Sequence, residues 1–131
     1  MADTRRPLSP HLSVYKWQVQ MVTSILHRAT GIALSVGLLL VAWGLIALAG
    51  GDERFGRFTA FVGSPVGMIL MIGWSWSLFY HLCNGIRHLV QDGGYGYQIV
   101  HFVRSSWASI IVSLLLTAAV WAYVLTLGAG A

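Results

Sequence analysis

The fold is decided by residues 65–91, PVGMILMIGWSWSLFYHLCNGIRHLVQ. No Asp, Glu, Lys or Arg occurs between positions 58 and 86. A helix of about 20 apolar residues crosses a hydrocarbon core of about 30 Å. Ser64-Pro65 is typical of a helix start, and Gly93-Gly94 of a helix end. This stretch therefore predicts a membrane-spanning helix at about 65–91.

Two further stretches without charged residues, 29–51 and 105–131, lie on either side of the first one. They are long enough to predict membrane-spanning helices at about 24–49 and about 105–128. The residues expected to cap or end these two helices are Thr23 or Ser24, Gly50-Gly51 and Ser105-Ser106.

The composition favours lipid as the solvent of this chain. Of its 131 residues, 56% are hydrophobic and only 9% are charged, whereas about 25% are charged in a typical soluble domain. The mean hydropathy is +0.71. We therefore predict an all-α membrane protein with three transmembrane helices in an up-down-up bundle. It would form a single membrane-anchor domain, 1–131, in which 1–23 is a cytoplasmic or interfacial N-terminal segment.

The basic residues predict an orientation in the membrane rather than a nucleic-acid partner. The formal net charge is +4, but the basic residues are scattered at the edges of apolar stretches and form no phosphate-binding patch. Six of them lie on the N-terminal side or near the second connection: Arg5, Arg6, Lys16, Arg28, Arg87 and Arg104. The positive-inside rule then places the N-terminus in the cytoplasm. Residues 1–22 lack the apolar core of a secretory signal peptide, and a bacterial inner membrane is the expected location.

His81 is the most informative polar residue, because polar side chains inside a bilayer are costly unless they are paired or functional. It forms a ridge with Gly73, Ser77 and Gly85, spaced every four residues, and His88 follows on the same face. Small residues on either side of a histidine leave a recess for a macrocycle, and the imidazole can be an axial ligand of haem b. The same pattern also fits a packing ridge with a hydrogen-bonded histidine.

A second polar cluster lies at the start of the first helix. Ser24 and Arg28 are four residues apart and share a face. Together they can donate hydrogen bonds to a quinone carbonyl, and Arg28 can stabilise negative charge on it. His27 and Arg28 can also neutralise haem propionates. An arginine that extends to lipid phosphates explains the pattern equally well.

Three motifs resemble a known family, the cytochrome b556 subunits of succinate dehydrogenase. They are RPLSPHLSVY at 6–15, SILHRATG at 24–31 and HLCNGIRH at 81–88, the last followed by Asp92. The resemblance covers nearly the whole chain. It implies that His81 is one axial ligand of the haem b iron and that Ser24 and Arg28 help to bind ubiquinone. It also implies that His27 and Arg28 lie near a haem propionate, and it adds His88 to the cofactor-binding residues without fixing its role.

The same resemblance implies partners. The chain offers one deeply placed histidine, so a second membrane anchor subunit would supply the other haem ligand. An iron–sulfur subunit and a flavoprotein with covalent FAD would complete the complex. Succinate would be oxidised on the flavoprotein, and this chain, a non-flavin subunit of the enzyme, would pass electrons to ubiquinone. Two alternatives stay open: a fumarate reductase-type anchor that uses menaquinol, and a structural or transport subunit without haem.

Overall fold

Three long apolar helices dominate the computed structural model, which describes residues 11–129. After a short 3-10 turn at Leu12–Val14, the helices are α1 (Val19–Ala49), α2 (Asp52–Val62), α3 (Pro65–Asp92) and α4 (Ile99–Ala129). No strand occurs within these described residues. Since α1, α3 and α4 are long and apolar enough to cross a membrane, the predicted all-α class with three spans is confirmed.

The boundaries of α3 agree with its sequence signals. The Ser64 Oγ accepts a hydrogen bond from the Gly67 N–H at 3.1 Å, and Pro65 occupies the first helical position. At the other end, the Gly93 N–H donates to the Leu89 carbonyl at 3.1 Å. Only the last residue differs from the prediction, because the helix ends at Asp92 rather than at 91.

Both outer spans start earlier than predicted. Helix α1 begins at Val19, five residues before position 24, and Gln18 precedes it without a side-chain cap. Thr23 and Ser24 lie inside this helix, so the predicted cap is wrong there. The uncharged stretch corresponds only to the part of α1 that crosses the hydrocarbon core. The helix extends beyond it because helical geometry continues to satisfy the backbone hydrogen bonds of the polar flanking residues.

The same error occurs at α4, which begins at Ile99, six residues before position 105. Ser105 and Ser106 are therefore helix residues and not caps. The Ser106 Oγ instead donates to the Phe102 carbonyl of the preceding turn at 2.9 Å. Gly50, in contrast, ends α1 as predicted.

Helix α2 was not predicted, because its sequence carries four charged residues and was taken as a connection. Asp52 and Glu53 lie in its first turn, where carboxylates are favoured by the helix dipole. Its Phe58 packs edge-on against Trp43 of α1, with ring centroids 5.1 Å apart. The helix thereby covers the end of α1.

The buried side chains of the bundle are mostly small or polar. On α4 they form a stripe that consists of Ser106, Ser109, Ser113 and Thr117. Most large aliphatic side chains are exposed, for example Leu39 at 72% and Ile69 at 70%. Helices in lipid associate through small residues in this way, because no hydrophobic force drives apolar side chains inward. The outer surface is thus suited to lipid or to further apolar helices.

Candidate functional site

His81 is oriented by the backbone of α1. Its Nδ1 lies 3.1 Å from the His27 carbonyl oxygen and 3.4 Å from the Thr30 Oγ1. A carbonyl oxygen can only accept, so the proton resides on Nδ1 and the lone pair on Nε2. No described residue forms a hydrogen bond with Nε2. Metal-bound histidines are commonly oriented by such a bond to a backbone carbonyl.

The close approach of α1 and α3 depends on two residues that sequence reasoning missed as site residues. A Cβ at Gly31 would lie 3.1 Å from the His81 Cε1, so a larger residue there would displace the imidazole. Thr30 is buried and donates its hydroxyl hydrogen bond to the Leu26 carbonyl at 2.7 Å. Both residues lie one turn after His27, and that spacing is the signal that could have found them.

The structure brings together the three histidines that were predicted to bind a cofactor. The rings of His27 and His81 stack in parallel, with centroids 3.9 Å apart and an interplanar angle of 8°. The His88 ring is 5.2 Å from that of His27 and tilted by 54°. Two axial ligands must approach a macrocycle from opposite faces, and rings in face-to-face contact cannot do so. His27 and His81 are therefore unable to bind one haem iron as a pair.

A recess lies beside the predicted ridge on α3. An apolar cavity of 570 Å³ lies between α1 and α3, and Gly37, Gly73, Trp74 and Ser77 are among its lining residues. A Cβ added at Gly73 would meet no heavy atom within 4 Å. Ser77, which lines this cavity, is one helical turn from His81. An open apolar slot beside a histidine whose Nε2 has no described partner fits the requirements of a b-type haem.

Ser24 and Arg28 lie on α1, near the histidine cluster. Ser24 is half-buried and Arg28 is exposed. Neither side chain forms a hydrogen bond to another described residue. At the same level the Tyr80 hydroxyl donates to the Thr23 carbonyl at 2.9 Å and holds α1 against α3.

A further polar cluster on α3 was not recognised as a site from the sequence. Arg87 is buried, with 8% exposure, and its Nε donates to the Ser105 Oγ of α4 at 3.0 Å. Its Nη1 lies 3.4 Å from the Asn84 Oδ1, and its guanidinium lies over the Phe102 ring, 4.4 Å from the centroid. The spacing of Asn84, Arg87 and Gln91 on one helical face could have indicated this cluster.

These features define a multi-pass membrane protein whose polar residues gather near one end of the bundle, where α1 begins and α3 ends. The model of one family, described as "Succinate dehydrogenase/Fumarate reductase transmembrane subunit", matches residues 2–124. The chain belongs to this family.

Curated relatives agree over nearly the full length. The chain is 43% identical over 117 residues to the succinate dehydrogenase cytochrome b556 subunit of Rickettsia felis, which covers 89% of this chain and 91% of that protein. It is also 43% identical over 119 residues to the Paracoccus denitrificans protein of the same name, and the match covers 88% of this chain and 92% of that protein. The mitochondrial succinate dehydrogenase cytochrome b560 subunit of Sus scrofa is 37% identical over 114 residues, and the match covers 86% of this chain and 68% of that protein. These names favour the succinate dehydrogenase interpretation over a fumarate reductase-type anchor and over a transport subunit.

Proposed function

We propose that this chain is the haem b- and quinone-binding membrane anchor of a succinate:ubiquinone oxidoreductase. The observation that carries the proposal is the His81 imidazole, whose Nδ1 is engaged by the His27 carbonyl at 3.1 Å. This arrangement directs the Nε2 lone pair away from α1 and makes it available for haem iron. Family membership and the names of the relatives support the same assignment.

The residues present fit a haem. His81 would be one axial ligand, and the open space at Gly73 would admit the macrocycle. His27 and Arg28 would face the propionates, and His88 would complete the polar rim. When bound, haem b supplies one-electron storage within the membrane. Since His27 stacks on His81, the second axial ligand would come from another polypeptide, a second membrane anchor subunit.

Ser24 and Arg28 would bind the ubiquinone head group. The serine hydroxyl and the guanidinium would both donate hydrogen bonds to a quinone carbonyl oxygen. Reduction of ubiquinone to ubiquinol adds two electrons and two protons, and negative charge grows on the carbonyl oxygens as electrons arrive. Arg28 would stabilise that charge, and its exposed position leaves the site open to protons from the aqueous side.

The remaining subunits follow from this role. A flavoprotein with FAD would oxidise succinate, and an iron–sulfur subunit would conduct the electrons to the quinone site. The positive-inside rule supports a cytoplasmic N-terminus and hence an inner-membrane location in a bacterium. Both soluble subunits would then dock at the end of the bundle that holds the histidine cluster.

Substitution of the proposed iron ligand tests the assignment. In the complex purified from membranes, His81→Ala should remove most of the reduced b-type absorbance, because it deletes the proposed axial ligand. The visible spectrum and the bound haem per complex are the measurements. Gel analysis of the same sample should show a flavoprotein and an iron–sulfur protein beside this chain.

His101→Ala is the matched control, because His101 is exposed on α4 and lies outside the histidine cluster. It should leave the spectrum unchanged. A wild-type spectrum in the His81→Ala protein would contradict haem ligation, and absence of a co-purifying flavoprotein would contradict the anchor function. Extraction of the bound quinone distinguishes ubiquinone from menaquinone.

A further inference from the structure

Thr30 of α1 lies beside the Nδ1 atom of the His81 ring. Its Oγ1 is 3.4 Å from that nitrogen, and the residue is only 3% exposed. The next residue, Gly31, allows α1 to come this close, because a Cβ there would lie 3.1 Å from the His81 Cε1. The function proposed above uses the bond between His81 and the His27 carbonyl and assigns nothing to Thr30.

The single hydroxyl proton of Thr30 has two carbonyl acceptors within reach. The Leu26 oxygen is 2.7 Å away and the His27 oxygen is 3.0 Å away. The shorter distance favours donation to Leu26, which leaves the His27 oxygen available to the His81 ring. Because the proton of that ring resides on Nδ1, the Thr30 Oγ1 can only accept from it. Thr30 therefore provides a second acceptor for the same N–H group.

A second acceptor matters because the first one is shared. The His27 oxygen, 3.1 Å from the His81 Nδ1, belongs to α1, where carbonyl oxygens also accept from the N–H four residues later. An acceptor at the outer nitrogen of a metal-bound histidine fixes the ring orientation and raises the basicity of the ligating nitrogen. A more basic Nε2 stabilises ferric over ferrous iron, so hydrogen bonds of this kind lower a haem potential.

We propose that Thr30 is a positioning residue, whose hydroxyl oxygen holds the plane of the His81 imidazole and lowers the midpoint potential of the haem. The inference rests on the function proposed above, because His81 must be an axial ligand for Thr30 to act through it. Thr30 itself contacts neither the iron nor the quinone.

Redox titration of the b-type absorbance tests this proposal. In the complex purified from membranes, Thr30→Val removes the hydroxyl and keeps the branched shape of the side chain. The midpoint potential should rise, by up to about tenfold in the ferric–ferrous equilibrium constant, which is about 59 mV for one electron. The electron paramagnetic resonance spectrum of the ferric haem, which reports the orientation of the axial rings, should change in the same variant.

Two further substitutions at position 30 isolate the hydroxyl from the shape. Thr30→Ser keeps the hydroxyl and should restore the wild-type potential. Thr30→Ala and Thr30→Ser differ only in the hydroxyl, so this pair replaces the valine comparison if the Thr30→Val protein is not recovered. Loss of haem from the variants without a hydroxyl, with retention in Thr30→Ser, would also support the proposal.

Thr23→Val is the matched control on the same helix. Thr23 is fully buried, and its hydroxyl donates to the Gln20 carbonyl at 3.0 Å, so the variant loses the same kind of local bond. It should leave the potential and the resonance spectrum unchanged.

Three results would overturn the proposal while haem ligation by His81 stands. They are a wild-type potential in the variants without a hydroxyl, a fall in potential instead of a rise, and a Thr30→Ser protein shifted as far as Thr30→Val. Loss of stability without any shift in potential would assign a structural role to Thr30. A wild-type complex without haem would instead refute the proposed function itself.

Discussion

The two halves of the bundle are held together by different means. In the half where α1 begins and α3 ends, side chains form hydrogen bonds between helices: Tyr80 to the Thr23 carbonyl, His81 to the His27 carbonyl and Arg87 to Ser105. In the other half, glycines face aromatic rings, and one interhelical hydrogen bond occurs among the described side chains, from the Trp121 Nε1 to the Ser75 Oγ at 3.3 Å. A Cβ at Gly37 would overlap the Trp74 indole, and one at Gly44 would lie 2.8 Å from Phe58.

The two kinds of contact constrain different quantities, the orientation of a helix in one case and the distance between two helices in the other. A hydrogen bond is directional, so it fixes the rotation of each helix about its axis and the height of each side chain. A glycine against a ring fixes only how closely two helices approach. Every residue proposed to bind haem or quinone through a polar group lies in the hydrogen-bonded half, and the direction of His81 is set there by such a bond. The glycine-packed half supplies the apolar recess.

The largest effect is expected from the charge at the proposed quinone site. Arg28→Leu should lower quinone reduction by about 10- to 100-fold, since a charged hydrogen bond to the developing negative charge is lost. Ser24→Ala should also lower quinone reduction, by a smaller factor. The assay is succinate-driven ubiquinone reduction, with an artificial acceptor at the flavin level measured in parallel.

Succinate oxidation with the artificial acceptor should persist in both variants. Arg54→Leu in the glycine-packed half should leave both activities unchanged. Equal loss of both activities in the Arg28→Leu protein would indicate failed assembly and would count against a role in quinone binding.

A substitution in the glycine-packed half should act on stability instead. Gly37→Ala would push the Trp74 indole out of its place, and overpacking of this kind costs about 1–3 kcal/mol. The free energy of unfolding in detergent is the measurement. Gly56→Ala on α2 is the control, because a Cβ there meets nothing within 4 Å and alanine favours the helix by up to about 1 kcal/mol. Equal stability of wild type and Gly37→Ala would show that this close approach is not maintained in the detergent-solubilised protein.

The smallest effect is expected from a single interhelical hydrogen bond. Tyr80→Phe removes the bond to the Thr23 carbonyl, and such bonds in membrane proteins contribute about 0.6 kcal/mol on average and about 1.7 kcal/mol at most. Tyr123→Phe, at a residue that is 65% exposed, should change the unfolding free energy by less than about 0.5 kcal/mol. If both variants have the same stability, directional bonding does not distinguish the two halves.

The spans were predictable because absence of charge over 20 or more residues has one physical explanation, a hydrocarbon environment. The starts of α1 and α4 were not, because a helix continues into polar flanks where no composition change marks its end. Helix α2 was missed since a short charged helix is stabilised by its contacts, such as Phe58 on Trp43, and these are not visible in a linear sequence.

The sequence by itself determined the class of protein, the three spans and the identity of the polar residues placed in them, because the cost of burying polar groups in lipid makes such residues conspicuous. Only the tertiary structure decided which atoms meet. It alone aligned the His81 Nδ1 with a backbone carbonyl, stacked His27 on the same ring and placed the Arg87 guanidinium over the Phe102 ring. Contacts of this kind depend on the rotation and spacing of whole helices, which are set by packing between residues more than 50 positions apart, as His27 and His81 are.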